Sequence, residues 1–302
     1  MNNKRRLFST LLCVAALTAG LFVSGCGSDK AGGIGSVVSS VVDGGSDEKA
    51  AAKLNTLIDA TNRFNGDNAT WGQNYADSLA KLKGGFQEGA IGRQPHYDTL
   101  KDALEKSKKE GSTFKEVDTE RDNVLNILNE LVPTFKDLKA YDDSKAYMND
   151  GGAKGKELAA KYVAQVEKFD AAYAKFNDAL NKVNTEQTKK QIEKLKKDGK
   201  KGYAAAMEST LRLTTLVENV EKAPKNADKQ AVEKELNEIQ TLLKSINNDR
   251  GEVLVNSYNS VVGSVRQVLT DANENNLNDM IENFNNYIES YNNTTPDQFD
   301  SK

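Results

Sequence analysis

The sequence predicts an all-α fold, specifically an elongated antiparallel helical bundle with coiled-coil-like packing. Three observations carry that expectation. Apolar residues recur at alternating steps of four and three, most cleanly at Tyr162, Val166, Phe169, Tyr173, Phe176, Leu180 and Val183. That spacing holds one stripe toward a partner helix crossing at a shallow angle. Only 4 prolines interrupt 302 residues, and alternating β-type runs are almost absent. Each periodic segment carries a single stripe, and an isolated helix gains too little from propensity to stand with that stripe uncovered, so the segments must cover one another.

The chain begins Met1-Asn2-Asn3-Lys4-Arg5-Arg6, basic and without acids, and continues as an apolar run from Leu7 to Val23. These are the charged and apolar parts of an export leader, and the run is too short and too rich in small residues to make a comfortable bilayer span. Val23-Ser24-Gly25-Cys26 closes it in the manner of a lipobox. Residues 1–25 are therefore expected to be removed as a lipoprotein signal peptide, leaving Cys26 acylated. Cys13, the other of the 2 cysteines, would leave with the leader, so the body must be held by burial rather than by disulfides. Each buried acyl CH₂ contributes roughly 0.8 kcal/mol, and more than one chain gives stable anchoring. The expected partner is a lipid bilayer on the non-cytoplasmic side of a bacterial membrane. Gly27, where a retaining aspartate would stand, favours an outer membrane where one exists.

Loss of Lys4, Arg5 and Arg6 from 41 basic residues, with none of the 44 acids lost, moves the formal charge from -3 to -6. A mildly acidic exported body argues against nucleic acid as a partner. Residues 26–46 read as the lipidated cysteine and a flexible Gly/Ser tether, spanning about 25 Å at 5 to 6 Å times the square root of its length. Its Val37-Val38 and Val41-Val42 pairs offer an alternative, a short amphipathic turn lying against the bilayer.

The body, 47–302, reads as a single helical-bundle domain. Breaks are expected at Gly84-Gly85 through Pro95, Gly111-Ser112, Gly151-Gly152, Ala223-Pro224 and Gly251. Helices are placed near 47 to 83, 97 to 110, 117 to 148, 153 to 184, 188 to 222, 227 to 249, 252 to 271 and 276 to 292. Further stripes run through Val124, Leu128, Leu131, Phe135 and Leu138, then Val232, Leu236, Ile239, Leu243 and Ile246. Two more close the chain: Leu254, Tyr258, Val261, Val265 and Val268, and Leu277, Ile281, Phe284, Ile288 and Tyr291. Pro133 is expected to kink its helix, and Gly199 and Gly202 to interrupt the fifth.

Three stretches carry a likeness: Lys53-Leu54-Asn55-Thr56-Leu57-Ile58; Tyr147 followed by Asp150 and Ala153-Lys154-Gly155-Lys156-Glu157-Leu158; and Phe284-Asn285-Asn286-Tyr287-Ile288-Glu289-Ser290-Tyr291-Asn292. With the lipobox and the low-complexity tether, they make the chain resemble the YiiG-like family of bacterial lipoproteins. The resemblance implies a lipoprotein address and a helical domain. None of the matching motifs is catalytic in character, so it implies no activity.

Chemistry-bearing residues are sparse. His96 is the only histidine, which removes a multi-histidine metal site, and no free cysteine or nucleophile elbow accompanies it. It reads as a loop residue. Asp271, Asn273, Asn275, Asp279 and Glu282 stand at the first, third, fifth, ninth and twelfth places of a calcium-loop pattern. Asn276 replaces the turn glycine there and Asn278 the usual apolar residue, which favours an Asn-rich interhelical turn. Lys189, Lys190, Lys194, Lys196, Lys197, Lys200 and Lys201 form one basic block, a solvated face steadied by pairs such as Glu193 with Lys197 or else a contact surface for anionic headgroups or polymer. The tyrosines and Trp71 read as space-fillers between helices, and Asp142, Asp143, Asp297 and Asp300 as exposed turn residues.

No catalytic residues and no cofactor emerge from this pattern. The leading expectation is a non-enzymatic envelope lipoprotein that meets another envelope protein or polymer. A module holding a small ligand or ion between helices comes second, its faint footprint being Thr61 and Asn68 between Phe64 and Trp71. A carboxylate-based hydrolase ranks last.

Overall fold

The computed structural model describes residues 45–69, 72–92, 94–111 and 114–300. The leader, the Cys26 lipobox, the tether up to residue 44, and the side chains of Asn68 and Trp71 lie outside what it describes. The described residues form eleven helices and no strand, the all-α fold that the stripes predict. In chain order the helices are α1 Gly45–Ala69, α2 Gly72–Lys83, α3 Tyr97–Lys109, α4 Lys115–Asp143, α5 Tyr147–Asp150, α6 Ala153–Lys197, α7 Lys201–Lys222, α8 Lys229–Lys244, α9 Asp249–Thr270, α10 Glu274–Asn292 and α11 Pro296–Asp300. None of them is long and apolar enough to cross a membrane.

Their contacts gather into two compact units. Among described residues, unit 1 holds 56–183 and unit 2 holds 45–55 and 184–300, the chain passing between them inside α1 and inside α6.

Unit 1 is built on the stripe of α6. Tyr162, Val166, Phe169, Tyr173 and Phe176 are all buried there, because steps of four and three return the chain to the same side of a 3.6-residue helix. Phe64 of α1 lies 5.8 Å from the ring of Phe169 and 5.3 Å from that of Tyr173, and Tyr97 of α3 lies 4.9 Å from Phe169, all three edge-on. That geometry sets the positive edge of one ring on the negative face of the next. Pro133, expected to kink α4, stands exposed in a helix that runs on to Asp143. At the start of α6, Asp150 accepts from the Tyr141 hydroxyl at 2.5 Å, from Gly152 N at 2.9 Å and from Lys154 N at 3.1 Å. These bonds occupy main-chain donors that a helix start leaves unpaired. A side chain on Gly155 would meet the rings of Phe86 and Tyr141 at 2.6 Å.

The break expected near residues 184 to 188 is absent, since α6 continues for 45 residues to Lys197. Asn184 and Thr188 are poor helix formers, but both are buried, and packing overrides their modest propensity cost. The chain turns instead at Gly199, whose φ of 80° suits a residue without Cβ.

Unit 2 packs α7 against α8, α10 and α11, and α9 against α8 and α10. Asp228 caps α8 through bonds from Gln230 N and Ala231 N, and Asn248 caps α9 through bonds from Arg250 N and Gly251 N. Gly251 is thus inside the first turn of α9 rather than at a break. The interruption lies upstream at Ser245 to Asn248, and Gly251 is needed because a Cβ there would stand 2.0 Å from Ile246 O. The short helix α11 was not expected from the pattern. Its Phe299 stacks on Tyr203 and Tyr291, both at 5.9 Å, and Asn248 Nδ2 donates to the carbonyls of Gln298 and Phe299 at 3.1 Å each. Asp300, expected as an exposed turn acid, accepts from Gly202 N at 2.7 Å and Tyr203 N at 3.4 Å, so it supplies the cap that Lys200 cannot give α7.

Candidate functional site

A cluster of polar side chains lies inside unit 1, where the loop after α2 is laced onto the core. Ser78 of α2 donates to Ala90 O at 2.7 Å and accepts from Gly92 N at 2.9 Å. Gln94 donates to Gly92 O at 3.1 Å and accepts from the hydroxyl of Tyr162. The Tyr75 and Tyr97 hydroxyls share a bond of 2.8 Å, and nearby on α6 the Tyr173 hydroxyl donates to Asn65 Oδ1 at 3.0 Å. Burial pushes all four phenols up from their usual range, because an anion loses its water shell there.

Asp170 borders this cluster, its charge acting on Tyr75, Tyr97 and Tyr162 alike. Burial lifts its carboxyl to about 6, against the opposing pull of Lys83, whose Nζ is engaged by Glu167 at 2.8 Å. Asp59 on α1 is raised to about 6 by burial as well, with Arg63 opposing. Chemically the cluster offers neutral hydrogen-bonding groups that brace helices, together with two carboxyls that titrate within two units of neutrality. Ser78 is no activated nucleophile, since its proton is committed to a main-chain carbonyl.

Unit 2 uses its buried hydroxyls in the same bracing way. Tyr258 donates to Leu236 O at 2.5 Å, and Tyr287 lies 3.1 Å from Thr210 Oγ1. On its surface Arg212 grips Glu235 through bonds of 2.7 and 2.8 Å, and Arg266 grips Glu233 through bonds of 2.8 and 2.7 Å. Two parallel N–H bonds to one carboxylate are the strong form of such a pair.

The structure places the sequence-predicted groups as follows. His96 precedes α3 as its cap residue and gives it no side-chain bond. Of the calcium pattern, Asp271 and Asn273 lie in the link before α10, whereas Asn275, Asp279 and Glu282 are already on the helix. Asn273 caps α10 by accepting from Asn276 N at 2.9 Å, and Asn276 Nδ2 donates to Asp271 O at 2.7 Å. These residues form an interhelical turn, and a helix cannot wrap its later ligands around an ion as a loop does. No group of three or more His, Cys, Asp or Glu able to hold a metal occurs among the described residues.

The basic block lies in unit 2 at the end of α6 and the start of α7. Lys196 is drawn to Glu208 at 2.8 Å and Glu193 at 3.3 Å, and Lys200 to Asp297 at 3.6 Å. The expected partner of Glu193 was Lys197; the helix gives it Lys196 instead. Lys189, Lys190, Lys197 and Lys201 are exposed, and Lys194 is half-buried.

One pattern escaped the sequence reading. Lys154, Lys161, Lys168, Lys175 and Lys182 are exposed at strict intervals of seven along α6 in unit 1. The same period continues in sequence to Lys189 and Lys196. Searching for lysines at a fixed period, rather than for runs of adjacent ones, would have found them.

Fold and interior together define a helical-bundle protein whose buried polar groups hold helices to one another. Its family follows from a second finding. The family model described as a protein of unknown function (DUF3829) matches residues 48–293, and the chain belongs to that family. The match takes in nearly all of α1 and the whole of α2 to α10, and stops short of α11. No curated protein and no solved structure matches the chain.

Proposed function

We propose that this is a bacterial envelope lipoprotein, akin to the YiiG-like lipoproteins, anchored through acylated Cys26 and serving a non-enzymatic interaction or structural role. The address rests on the basic start, the apolar run and the Val23-Ser24-Gly25-Cys26 ending. The observation that carries the role is how the interior polar groups are used: the hydroxyls of Ser78, Tyr75, Tyr97, Tyr162 and Tyr173 are spent on main chain, amide or one another. On this reading the charged outer surface is what the protein offers to a partner.

Growth with an alkyne-bearing palmitate analogue tests the address, with the label expected on the parent and lost in Cys26→Ala. Labelling of the variant, or an unmodified N-terminus that begins before residue 26, would reject it. Crosslinking in cells tests the role and should recover the same envelope component repeatedly.

A second reading, a small-ligand module built between helices, is favoured by two buried atoms. Gln165 Oε1 and Ser107 Oγ have no hydrogen-bond partner among the described residues, and buried polar atoms are ordinarily paired. A ligand that binds only the folded form raises Tm, so a thermal-shift screen of the full chain separates the two readings.

A further inference from the structure

The geometry points to the outward side of α6 in unit 1 as a docking seam for an acidic α-helix of a partner protein. This rests on the interaction role proposed above and names the kind of partner. Lys161, Ala164, Lys168, Ala171 and Lys175 follow one another at steps of three and four, and every one is exposed. They repeat on the outside the rhythm of the buried stripe on the inside. Successive lysines stand about 10.5 Å apart, seven residues at 1.5 Å each.

The lysines are not neutralised by their own unit. Lys182, at the end of the row, meets Glu116 at 2.9 Å, whereas Lys154, Lys161, Lys168 and Lys175 make no ion pair among the described residues. Between α6 and α4 lies a shallow groove, its floor made by Ile127, Ala171 and Ala172 and its rims by Lys168 and Lys175 on one side and Asn126, Asn123 and Glu120 on the other, where Asn123 Nδ2 donates to the Glu120 carboxylate at 3.0 Å. Asparagine is a poor choice for an exposed helix interior. It costs helix stability there and presents an amide that can both donate and accept.

Three physical points select a helix as the occupant. A strict seven-residue row drifts by about 20° per heptad on a straight α-helix, so it stays in line only with an element that winds round it, as a neighbouring helix does. Alanines between the lysines let a second backbone approach closely, and charges flanking such a seam choose the partner by opposite sign. Along α6 the seam carries only lysine and alanine, and the large apolar side chain in the groove, Ile127, is half-buried in its floor, which separates it from an interfacial membrane helix. A second copy meeting it through the same seam would bring lysine against lysine.

The test uses the full chain and a synthetic amphipathic helix of about four heptads with glutamate at every seventh position. A peptide of the same composition in shuffled order is the control. Fluorescence anisotropy should give salt-sensitive binding of the registered peptide, at least about tenfold tighter than the shuffled one. Lys161→Gln, Lys168→Gln and Lys175→Gln together should remove that advantage, and Lys189→Gln, Lys190→Gln and Lys197→Gln together should leave it intact. Equal affinity for both peptides, or indifference to the first triple variant, overturns the proposal. So does tighter triple-dependent binding of polyphosphate or anionic vesicles, which would make the partner a polyanion or a membrane. Photo-crosslinkers at Ala171 and at Val253 separate this failure from failure of the interaction role. A repeatable protein partner at Val253 with none at Ala171 rejects the seam and leaves the role standing.

Discussion

Units 1 and 2 bury the same kinds of residue but hold them differently. In unit 1 aromatic rings meet one another edge-on, tilted and stacked, a loop is laced to the core by side chains, and two carboxyls sit where burial makes them costly to ionise. In unit 2 short caps and a C-terminal helix join the elements, and the closest approaches are to main-chain carbonyls. The first arrangement is held by interactions between side chains, which can adjust. The second depends on backbone positions that leave no room for an added carbon.

Replacing a core phenylalanine in each unit gives the largest expected contrast. Phe284→Ala in unit 2 should cost about 3–5 kcal/mol, its ring being 1 % exposed. Phe169→Ala should reach the top of that range, since it also gives up the rings of Phe64, Tyr97 and Tyr173, each such pair contributing about 0.5–1.5 kcal/mol beyond burial. Urea unfolding measures both. Equal losses would erase the distinction between ring-to-ring and mixed packing.

Acidity tests the second difference. Asp170 titrates near 6 when folded and near its ordinary 3.8 when unfolded, so the native state binds more protons between those values. Stability therefore falls as pH rises through that window, and the penalty is complete above it. Asp170→Asn should stabilise the protein at pH 7.5 by up to about 3 kcal/mol, two units at about 1.4 each. The gain should vanish below pH 4. A stabilisation independent of pH would assign the effect to packing instead.

Glycine replacement tests the third. At Gly202 a Cβ would stand 2.0 Å from the carbonyl oxygen of Phe299, whereas at Gly155 it would meet only ring atoms at 2.6 Å. Gly202→Ala should cost about 1–3 kcal/mol, and Gly155→Ala less, because rings can turn aside where a carbonyl cannot. Reversal of that order in thermal melts would count against the contrast.

The smallest effect runs opposite to Asp170. Arg212 holds Glu235 below the usual carboxylate range, so the pair stabilises the fold above that range and its contribution is lost as pH falls through the lowered value. Glu235→Gln should destabilise at pH 7 by about 1 kcal/mol or less, since the pair is partly exposed, and by nothing in strong acid.

The helices were legible because their stripes are long: of the seven residues first singled out on α6, every one is buried. The link at 271–273 falls between two helices, where the Asn-rich turn was placed, but that Asn273 caps α10 was not read from the sequence. The run of α6 past Asn184 was not, because local propensity argues for a stop and only burial of Asn184 and Thr188 explains the continuation. Nor was α11, five residues long, where no periodicity can register and the reason for the helix is Phe299 finding Tyr203 and Tyr291. The interior cluster was missed for a related reason. Tyr75 and Ser78 share one helix, but Gln94 and Tyr162 lie far from them in sequence, and nothing in the spacing announces that they meet. Asn65, the acceptor for Tyr173, was passed over in favour of Thr61, which bonds to its own helix at Ile58 O.

The carboxylate that completes the start of α7 is made 98 positions after the amide it serves. During synthesis, then, the first turn of that helix stays open until residue 300 has been added, and the rings of Tyr203 and Tyr291 wait uncovered with it. The order in which the polypeptide emerges therefore makes this end of unit 2 the last that can close.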